Sequence, residues 1–358
     1  MSSVLDLARP DLRALRPYTP GSYDPGFVRL NANESPWRLP GDPTERGLNI
    51  YPPPRPTVLR DALAEHYGMA ATQLLVTRGS SEAIDVLIRG FCRAGRDQVL
   101  YCTPTFDMYR LYATIQGAEI VSVPLQKSGD FSVDPDRLLA AVTQRTKIVF
   151  ICSPNNPTGG SVEREVVEQV CRALAGKALV VIDEAYHEFA GRDFRDMRER
   201  YEHVVLLRTL SKYVALAGAR CGTVIAAPEV IEFLGNVLPP YTFPTPSIEL
   251  VIEALSPESL RVAEERITLI KRERQRLAQS LRDLPDVVHV YPSDANFVLI
   301  ETRNGARFAE IARGAGILVR TFAAEPALAD CVRITVGRPE DNDRLLKAVS
   351  GAERPHEP

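Results

Sequence analysis

Lys212 is the residue of this sequence with the clearest capacity for covalent chemistry. It follows Ser211 inside a largely apolar run, VVLLRTLSKYVALAGARCG (204–222), which also contains Arg220. Because an ammonium group is costly to desolvate, an apolar setting lowers the pKa of a lysine and favours the neutral amine. A neutral lysine amine can form a Schiff base with an aldehyde. The run therefore predicts a nucleophilic lysine.

Polar residues also stand at the ends of three other apolar, strand-like runs. Asp183 closes ALVVID, and Asn156 lies in the proline- and glycine-rich turn SPNNPTGG. After QLLVTRG, Ser80, Ser81 and Glu82 open a helical segment. Each of these features alone has a simpler explanation, as a helix cap, a turn and an N-cap. Together with Lys212 they form a set that a purely structural explanation does not account for.

The combined set matches the chemical needs of pyridoxal phosphate. A buried aspartate can pair with the protonated nitrogen of a pyridine ring, and a helix start rich in hydroxyl groups can bind a phosphate. The lysine would bind the aldehyde, and the ring would act as an electron sink. In a parallel sheet, strand ends of this kind meet at one edge. The phosphate-binding motifs G-x-x-x-x-G-K-[ST] and G-x-G-x-x-G do not occur in the sequence.

The order of helical and strand-like segments indicates the fold that would position these groups. From Thr57 to Pro239, amphipathic segments alternate with short runs of valine, leucine and isoleucine, which are typical of parallel strands covered on both faces. The alternation predicts an α/β fold with a mainly parallel central sheet covered by helices. After the break PPYTFPTPS, a long amphipathic helix, short strands and two further helices predict a smaller α+β domain at the C-terminus.

These patterns divide the chain into four regions. We expect residues 1–50 to form an N-terminal arm that joins the small domain, and residues 51–245 to form the large cofactor-binding domain. Residues 246–351 are predicted to form the small C-terminal domain. The remaining residues, 352–358, are predicted to be a disordered tail.

The composition is that of an ordinary globular protein, with 358 residues of which 45% are hydrophobic and 25% charged. A net charge of -3 argues against a nucleic-acid partner or an anionic membrane surface, and no apolar run is long enough to span a bilayer. The six cysteines form no C-x-x-C pair, so we expect reduced core residues in a cytoplasmic protein. The histidines are scattered, and no metal site is expected.

Nearly the whole chain resembles the fold type I pyridoxal-phosphate-dependent aminotransferases, and within them the histidinol-phosphate aminotransferases. The stretches that carry this resemblance are LNANESPW, YPPPRP, GSSEAIDVLIRGFC, PTFDMYRLYA, SPNNPTGG, IDEAYHEF, RTLSKYVALAGARCG, PPYTFPTPS, SDANFVLI and VRITVG. The resemblance implies a fold type I transferase with pyridoxal 5'-phosphate as its cofactor. It also implies a homodimer whose active sites are shared between subunits.

The resemblance further implies a role for each matching residue around the cofactor ring. Lys212 would bind the cofactor covalently and then move a proton between the substrate Cα and the cofactor C4′. Asp183 would keep the pyridine nitrogen protonated. Asn156 and Tyr186 would hydrogen-bond the ring oxygen, and Phe106 would stack on the ring face.

Other matching residues would hold the cofactor phosphate or the substrate. The residues implied at the phosphate are Ser80, Ser81, Glu82, Ser211, Arg220 and, from the neighbouring subunit, Tyr51. The residues implied at the substrate are Tyr18, Asn33, Arg320 and Arg333. The two arginines lie in strand-like segments, GILVRTF and DCVRITVG, where a surface-facing strand residue is an equally good interpretation of the residues alone.

The sequence departs from the family pattern in three places. Phe106 stands where the family usually has tyrosine, so the stacking face is kept and a hydroxyl is lost. Ser81 stands where an acidic residue is frequent, and PYTPGSYDPG lacks the lysine that often follows its first PG. These departures leave the cofactor chemistry intact and concern the choice of substrate.

The function that the sequence predicts is reversible transamination between L-histidinol phosphate and 2-oxoglutarate in histidine biosynthesis. Two alternatives share the same cofactor core: an aromatic amino-acid aminotransferase and a threonine-phosphate decarboxylase. A third alternative of a different class is a regulator that only binds pyridoxal phosphate. We disfavour it because the N-terminal arm has no basic helix-turn-helix pattern.

Overall fold

A computed structural model describes residues 3–18, 21 and 26–351 of the chain. The tail 352–358, which the sequence predicts to be disordered, lies outside the described residues. The described residues form two sheets, one of seven strands and one of four.

The larger sheet is mainly parallel, as the sequence predicts. Its strand order is β1-β7-β6-β5-β4-β2-β3, and β7 alone runs antiparallel to its neighbours. The strands are β1 (Leu74–Arg78), β2 (Gln98–Thr103), β3 (Glu119–Pro124), β4 (Thr146–Cys152), β5 (Leu179–Asp183), β6 (Val204–Thr209) and β7 (Cys221–Ile225). The six parallel strands all end at one edge of the sheet, and β7 begins there.

Helices cover both faces of this sheet. They are α1 (Thr57–Tyr67), α2 (Gly79–Phe91), α3 (Met108–Gln116), α4 (Pro135–Ala140), α5 (Arg164–Leu174), α6 (His187–Ala190), α7 (Arg195–Arg200) and α8 (Pro228–Val237). Alternate residues of each strand face opposite sides. Thus Val180 and Ile182 of β5 join one buried core with α1 and α5, while Leu179 and Val181 join the other with α2 and α8.

Two of the predicted helix ends illustrate how the sequence sets these boundaries. Asp134 caps α4, because its carboxylate accepts the N–H groups of Asp136 and Arg137, and Pro135 occupies the first helical turn. Gly68 ends α1 with φ +63°, a left-handed conformation that glycine adopts without strain. The cap residues Asp134 and Gly68 therefore set the start of α4 and the end of α1.

The C-terminal part forms a smaller antiparallel sheet with strand order β10-β11-β9-β8. Its elements, with the helices around them, are α9 (Thr245–Ala254), α10 (Pro257–Arg282), β8 (Val287–Val290), β9 (Phe297–Thr302), α11 (Gly305–Gly314), β10 (Arg320–Thr321), β11 (Cys331–Thr335) and α12 (Pro339–Gly351). The long helix predicted after PPYTFPTPS is α10, and α9 before it was not predicted. Buried residues of α10, such as Leu277 and Leu281, pack with Val298 of β9 and Val332 of β11.

A small apolar cluster joins the two sheets beside the predicted site. Tyr186 and Phe189, which follow β5, pack with Ile267 of α10 and Phe297 of β9. The rings of Tyr186 and Phe297 meet edge to face, with centroids 5.4 Å apart. This cluster holds the smaller sheet against the edge of the larger one where the parallel strands end.

The described part of the N-terminal arm has one short 3-10 turn, Val4–Leu7, which buries Val4 and Leu7 against the large-sheet core. Beyond it, several large apolar side chains of the arm are exposed: Phe27, Val28, Leu30, Trp37 and Leu39. All six cysteines are buried and unpaired. Among the helices of the described residues, none has both the length and the apolar character that crossing a bilayer requires.

Candidate active site

The strand ends enclose a cavity of about 320 Å³ at the edge of the large sheet. Most of the predicted site residues line it: Ser80, Ser81, Phe106, Asn156, Asp183, Tyr186, Ser211, Lys212, Arg220 and Arg333. Five predicted residues do not line it in this chain: Tyr18, Asn33, Tyr51, Glu82 and Arg320. The cavity wall thus combines one amine, one carboxylate, two guanidinium groups and several hydroxyls.

Lys212 lies three residues beyond the end of β6, in a turn rather than in a helix or strand. Its Nζ lies 5.7 Å from the centre of the Tyr186 ring. Partial burial lowers the pKa of the Lys212 ammonium, and the positive charges of Arg333 and Arg220 lower it further. The apolar run predicts a lowered pKa for Lys212 but not its exposure, which arises because the side chain lines a cavity that is open to solvent.

Asp183 ends β5 at the floor of the cavity and is almost completely buried. Its Oδ2 accepts a hydrogen bond from the Tyr109 hydroxyl at 2.8 Å, and its Oδ1 accepts the N–H of Ala185 at 3.2 Å. Burial raises the pKa of Asp183 to about 6, and these two hydrogen bonds limit the rise. The carboxylate is therefore ionised at neutral pH and available to a cationic partner.

Arg333 reaches the cavity from β11 of the small sheet. Its guanidinium donates a hydrogen bond to Asn156 Oδ1 and lies over the Phe297 ring, 5.3 Å from the ring centre. Burial lowers the pKa of Arg333, as does the charge of Arg320, its register partner on β10. Arg333 is therefore a cavity residue, whereas the Arg320 side chain is exposed beside it.

The start of α2 and the start of β7 form the end of the cavity suited to an anion. Gly79 has φ +75°, and a Cβ there would lie 2.5 Å from Arg220 Nη2, so only glycine allows this approach. A Cβ on Gly222 would lie 2.6 Å from the Ser80 backbone nitrogen. The helix N-terminus, two serines and the Arg220 guanidinium thus converge in one place.

Glu82 contacts Arg78 at the start of α2 and does not line the cavity. Its carboxylate accepts the backbone N–H of Arg78 at 2.7 Å and pairs with the Arg78 guanidinium at 2.6 Å. The role of Glu82 at the cofactor stays a prediction, since its charge is paired with Arg78 and it does not line the cavity. The capping role that the sequence also allowed describes this residue better.

Tyr18 and Tyr51 belong to an exposed aromatic cluster outside the cavity. Both contact Tyr241, with ring centroids 6.3 Å and 4.9 Å away, and Tyr241 itself has φ +61°. Asn33, also in a left-handed conformation, lies in the exposed arm. None of these three residues lines the cavity of its own chain, and their roles at the substrate and the phosphate stay predictions.

The sequence reasoning missed Tyr109 and Tyr241. Tyr241 had one possible signal, its place in the proline-rich break PPYTFPTPS next to a predicted boundary. Tyr109 had none, because a tyrosine on the apolar face of a helix usually belongs to the core. The contact between its hydroxyl and Asp183 forms only in the folded chain, where α3 packs on the large sheet.

The chain is similar over nearly its whole length to known aminotransferases. Residues 39–349 match the family model of class I and II aminotransferases. The histidinol-phosphate aminotransferase of Xanthomonas euvesicatoria pv. vesicatoria is 45% identical over 353 residues, 97% of each chain. That of Stenotrophomonas maltophilia is 42% identical over 355 residues, 98% of this chain and 97% of the relative.

Solved structures of similar fold include two histidinol-phosphate aminotransferases. The enzyme from Clostridium acetobutylicum superimposes with a TM-score of 0.78 over 86% of this chain and 91% of that chain, at 24% identity. The enzyme from Sinorhizobium meliloti, in complex with pyridoxal-5'-phosphate, gives 0.76 over 85% and 84%, at 25% identity. With the family match and the sequence identities above, the chain belongs to the class I and II aminotransferases and, within them, to the histidinol-phosphate aminotransferases.

Proposed function

We propose that this chain is a pyridoxal-phosphate-dependent enzyme that transfers the amino group of L-histidinol phosphate to 2-oxoglutarate, in histidine biosynthesis. The observation that carries the proposal is the meeting of Lys212, Asp183 and Arg333 in one cavity, at the edge where the parallel strands end. The names of the relatives favour histidinol phosphate over the aromatic amino acids and threonine phosphate.

The residues present fit the cofactor. The close approach of Arg220 to Gly79 and the start of α2 offers a phosphate site, and Asp183 offers a buried anion to the ring nitrogen. Phe106 offers an aromatic face, and Asn156 and Tyr186 offer hydrogen-bond partners. When bound, pyridoxal phosphate supplies a ring that accepts the electron pair released at the substrate Cα.

The side chains of the cavity divide the work of the reaction. Lys212 Nζ, whose lowered pKa increases the share of neutral amine, would take the proton from the substrate Cα and would then give it to the cofactor C4′. Asp183 remains ionised, and the hydrogen bonds that it accepts from Tyr109 and Ala185 hold its carboxylate in a fixed orientation. Arg333 presents its planar guanidinium to the carboxylate of glutamate or 2-oxoglutarate.

The assembly that supports the site is a homodimer with shared active sites. The exposed apolar side chains of the arm, including Phe27, Val28 and Trp37, are each at least 76% exposed in the single chain, which is unusual for a monomer surface. Tyr51 and Tyr18 are also exposed, contact Tyr241 and do not line the cavity of their own chain. A second copy that covers the arm would bring these tyrosines to its site.

Cysteine usage supports a cytoplasmic location. All six cysteines are buried without a disulfide, the state typical of a reducing compartment. The partners of the enzyme are small-molecule substrates, and the slightly negative net charge gives no support for a nucleic-acid partner.

A substrate panel tests the proposed function. Purified enzyme with pyridoxal phosphate is given histidinol phosphate, phenylalanine or threonine phosphate together with 2-oxoglutarate, and glutamate and carbon dioxide are measured. We expect kcat/KM for histidinol phosphate to exceed that for the other two by about a hundredfold or more, as lost polar contacts to a substrate predict. Fastest transamination of phenylalanine, or carbon dioxide from threonine phosphate, would replace the proposal with the corresponding alternative.

A further inference from the structure

Tyr109 is a fully buried tyrosine whose hydroxyl lies 2.8 Å from Oδ2 of Asp183. It is in the first turn of α3, on the side of the large sheet opposite α1 and α5. The hydroxyl of a buried tyrosine usually has a hydrogen-bond partner. Here the hydroxyl donates its hydrogen bond to one carboxylate oxygen of Asp183, a residue that lines the cavity.

The ring of Tyr109 has no freedom to move this hydroxyl away. It stacks nearly parallel on Phe150 of β4, with centroids 4.5 Å apart, and meets Phe106 edge to face at 5.9 Å. Phe106 is itself a wall of the cavity. Tyr109 therefore contacts both Phe106 and Asp183, two residues that line the cavity.

We propose that Tyr109 is a positioning residue that keeps Asp183 ionised and aims its free lone pairs at the ring nitrogen of the cofactor. The proposal rests on the function proposed above and assigns a further residue to the same site. Each carboxylate oxygen can accept two hydrogen bonds. Tyr109 and Ala185 use one on each oxygen, which fixes the plane of the carboxylate and leaves acceptor capacity towards the cavity.

The electrostatic reason is that a buried carboxylate needs donors to stay charged. Burial raises the pKa of Asp183 to about 6, and Tyr109 is the first of the two donors that oppose this rise. The phenol cannot compete as an acid, because burial and the charge of Asp183 raise the pKa of Tyr109 well above its usual value. Loss of the hydroxyl would therefore move the titration of Asp183 to higher pH.

The other titratable groups around Asp183 do not provide this support. Glu184, the next residue, raises the pKa of Asp183 further, although its own charge is paired with Arg208. Burial raises the pKa values of the Cys152 thiol, to about 12, and of the Tyr186 phenol, so both are neutral at neutral pH. Among the described residues, Tyr109 is the one side chain that donates a hydrogen bond to Asp183.

The test compares two cofactors on the full-length apoprotein. Tyr109→Phe keeps the ring and its contacts with Phe150 and Phe106 and removes only the hydroxyl. Affinity is measured for pyridoxal phosphate and for its 1-deaza analogue, in which carbon replaces the ring nitrogen, at several pH values between 8 and 6. Tyr101→Phe is the matched control, since Tyr101 is a buried tyrosine of β2 whose ring lies 6.0 Å from that of Tyr109.

We expect Tyr109→Phe to weaken binding of pyridoxal phosphate by about ten- to a hundredfold, the range for a lost hydrogen bond to a charged group. The loss should grow as the pH falls from 8 to 6, because the variant carboxyl takes up a proton at higher pH than the wild type. Affinity for the 1-deaza analogue should be unchanged, and Tyr101→Phe should leave both affinities and their pH dependence as in the wild type.

Three results would contradict the inference. Unchanged affinity of Tyr109→Phe for pyridoxal phosphate across the pH range would overturn it, and so would equal losses for both cofactors, which a merely structural role predicts. Thermal unfolding of the variant separates the second result from simple misfolding. Failure of the wild-type apoprotein to bind pyridoxal phosphate would instead overturn the proposed function, and this inference with it.

Discussion

The carboxylate of Glu184, next to Asp183 in the chain, is buried and paired with a buried arginine. Arg208 of β6 pairs with Glu184 at 2.8 Å, and the other oxygen of Glu184 accepts the N–H of Phe194 at 2.6 Å. The Arg208 guanidinium also lies over the Tyr67 ring, 5.2 Å from its centre. Because Glu184 follows Asp183 directly, this pair fixes the backbone that presents the site carboxylate.

Removal of one partner of this ion pair should be strongly destabilising. Arg208→Leu leaves the Glu184 carboxylate buried without its counter-charge, a change that costs about 3–5 kcal/mol of unfolding free energy. Urea denaturation followed by circular dichroism measures it. Arg261→Leu is the control, because its pair with Glu265 is exposed on α10 and should contribute little. Equal, small effects of the two substitutions would show that the Glu184 pair does not stabilise the fold.

Some of the site residues could be found in the sequence because they break a pattern. Asp183 and Lys212 are charged residues at the ends of apolar runs, where charge is rare, so the sequence alone marks them. The contacts of Tyr109 with Asp183 and of Glu82 with Arg78 have no such signal in the sequence, since both depend on which atoms the folded chain brings within 3 Å. The exposure of Lys212 could not be predicted from the sequence either, because an apolar run does not indicate whether its residues line a cavity.

At the scale of elements, the antiparallel strand β7 determines how the phosphate end is built. A strand parallel to the others would end at this edge, so a residue that follows the strand would lie in the site. β7 begins at this edge instead, and the residue that lies there is therefore Arg220, which directly precedes the strand. Its second residue, Gly222, lies against the backbone of Gly79 and Ser80. The sequence predicted the parallel strands from their continuous apolar runs, but β7 was not predicted, because CGTVI contains glycine and threonine and follows a glycine-containing turn.

This close approach predicts a strong effect of one methyl group. In Gly222→Ala the new Cβ would meet backbone atoms at the start of α2, so the helix or the strand must shift, at a cost of about 1–3 kcal/mol. We expect lower thermal stability and weaker binding of pyridoxal phosphate, measured by equilibrium titration of the apoprotein. Gly218 lies in the turn that precedes β7 and has open space around it, so Gly218→Ala should leave the thermal stability and the cofactor affinity unchanged. Wild-type affinity in Gly222→Ala would contradict the proposed phosphate site.

At the scale of the whole molecule, one predicted site residue, Tyr51, does not line the cavity of its own chain. Tyr51 lies in the extended segment before α1, with its ring 4.9 Å from that of Tyr241, and both stand outside the cavity. The division into regions 51–245 and 246–351 stays a prediction, and limited proteolysis near residue 245 would examine it. The two sheets themselves, and the mainly parallel order of the larger one, were predictable from hydrophobic patterns that extend over whole elements.

Mixing two inactive variants tests the shared site. In a heterodimer of Tyr51→Ala and Lys212→Ala chains, one site carries both defects and the other carries neither if Tyr51 acts across the interface. We therefore expect turnover of the mixture to exceed that of either variant alone. Lack of recovery, with subunit exchange verified by mass spectrometry of differently tagged chains, would place Tyr51 in its own subunit or outside the site.

We expect Lys212 to be the amine that holds the cofactor, and reductive trapping can identify that amine. Purified enzyme with pyridoxal phosphate is reduced with borohydride, digested and mapped by mass spectrometry. We predict loss of the visible absorption band and a cofactor adduct on Lys212, the one lysine among the residues that line the cavity. Lys177→Ala should keep the adduct and Lys212→Ala should lose it. An adduct on Lys127, Lys147, Lys177, Lys271 or Lys347, or its persistence in Lys212→Ala, would contradict the claim.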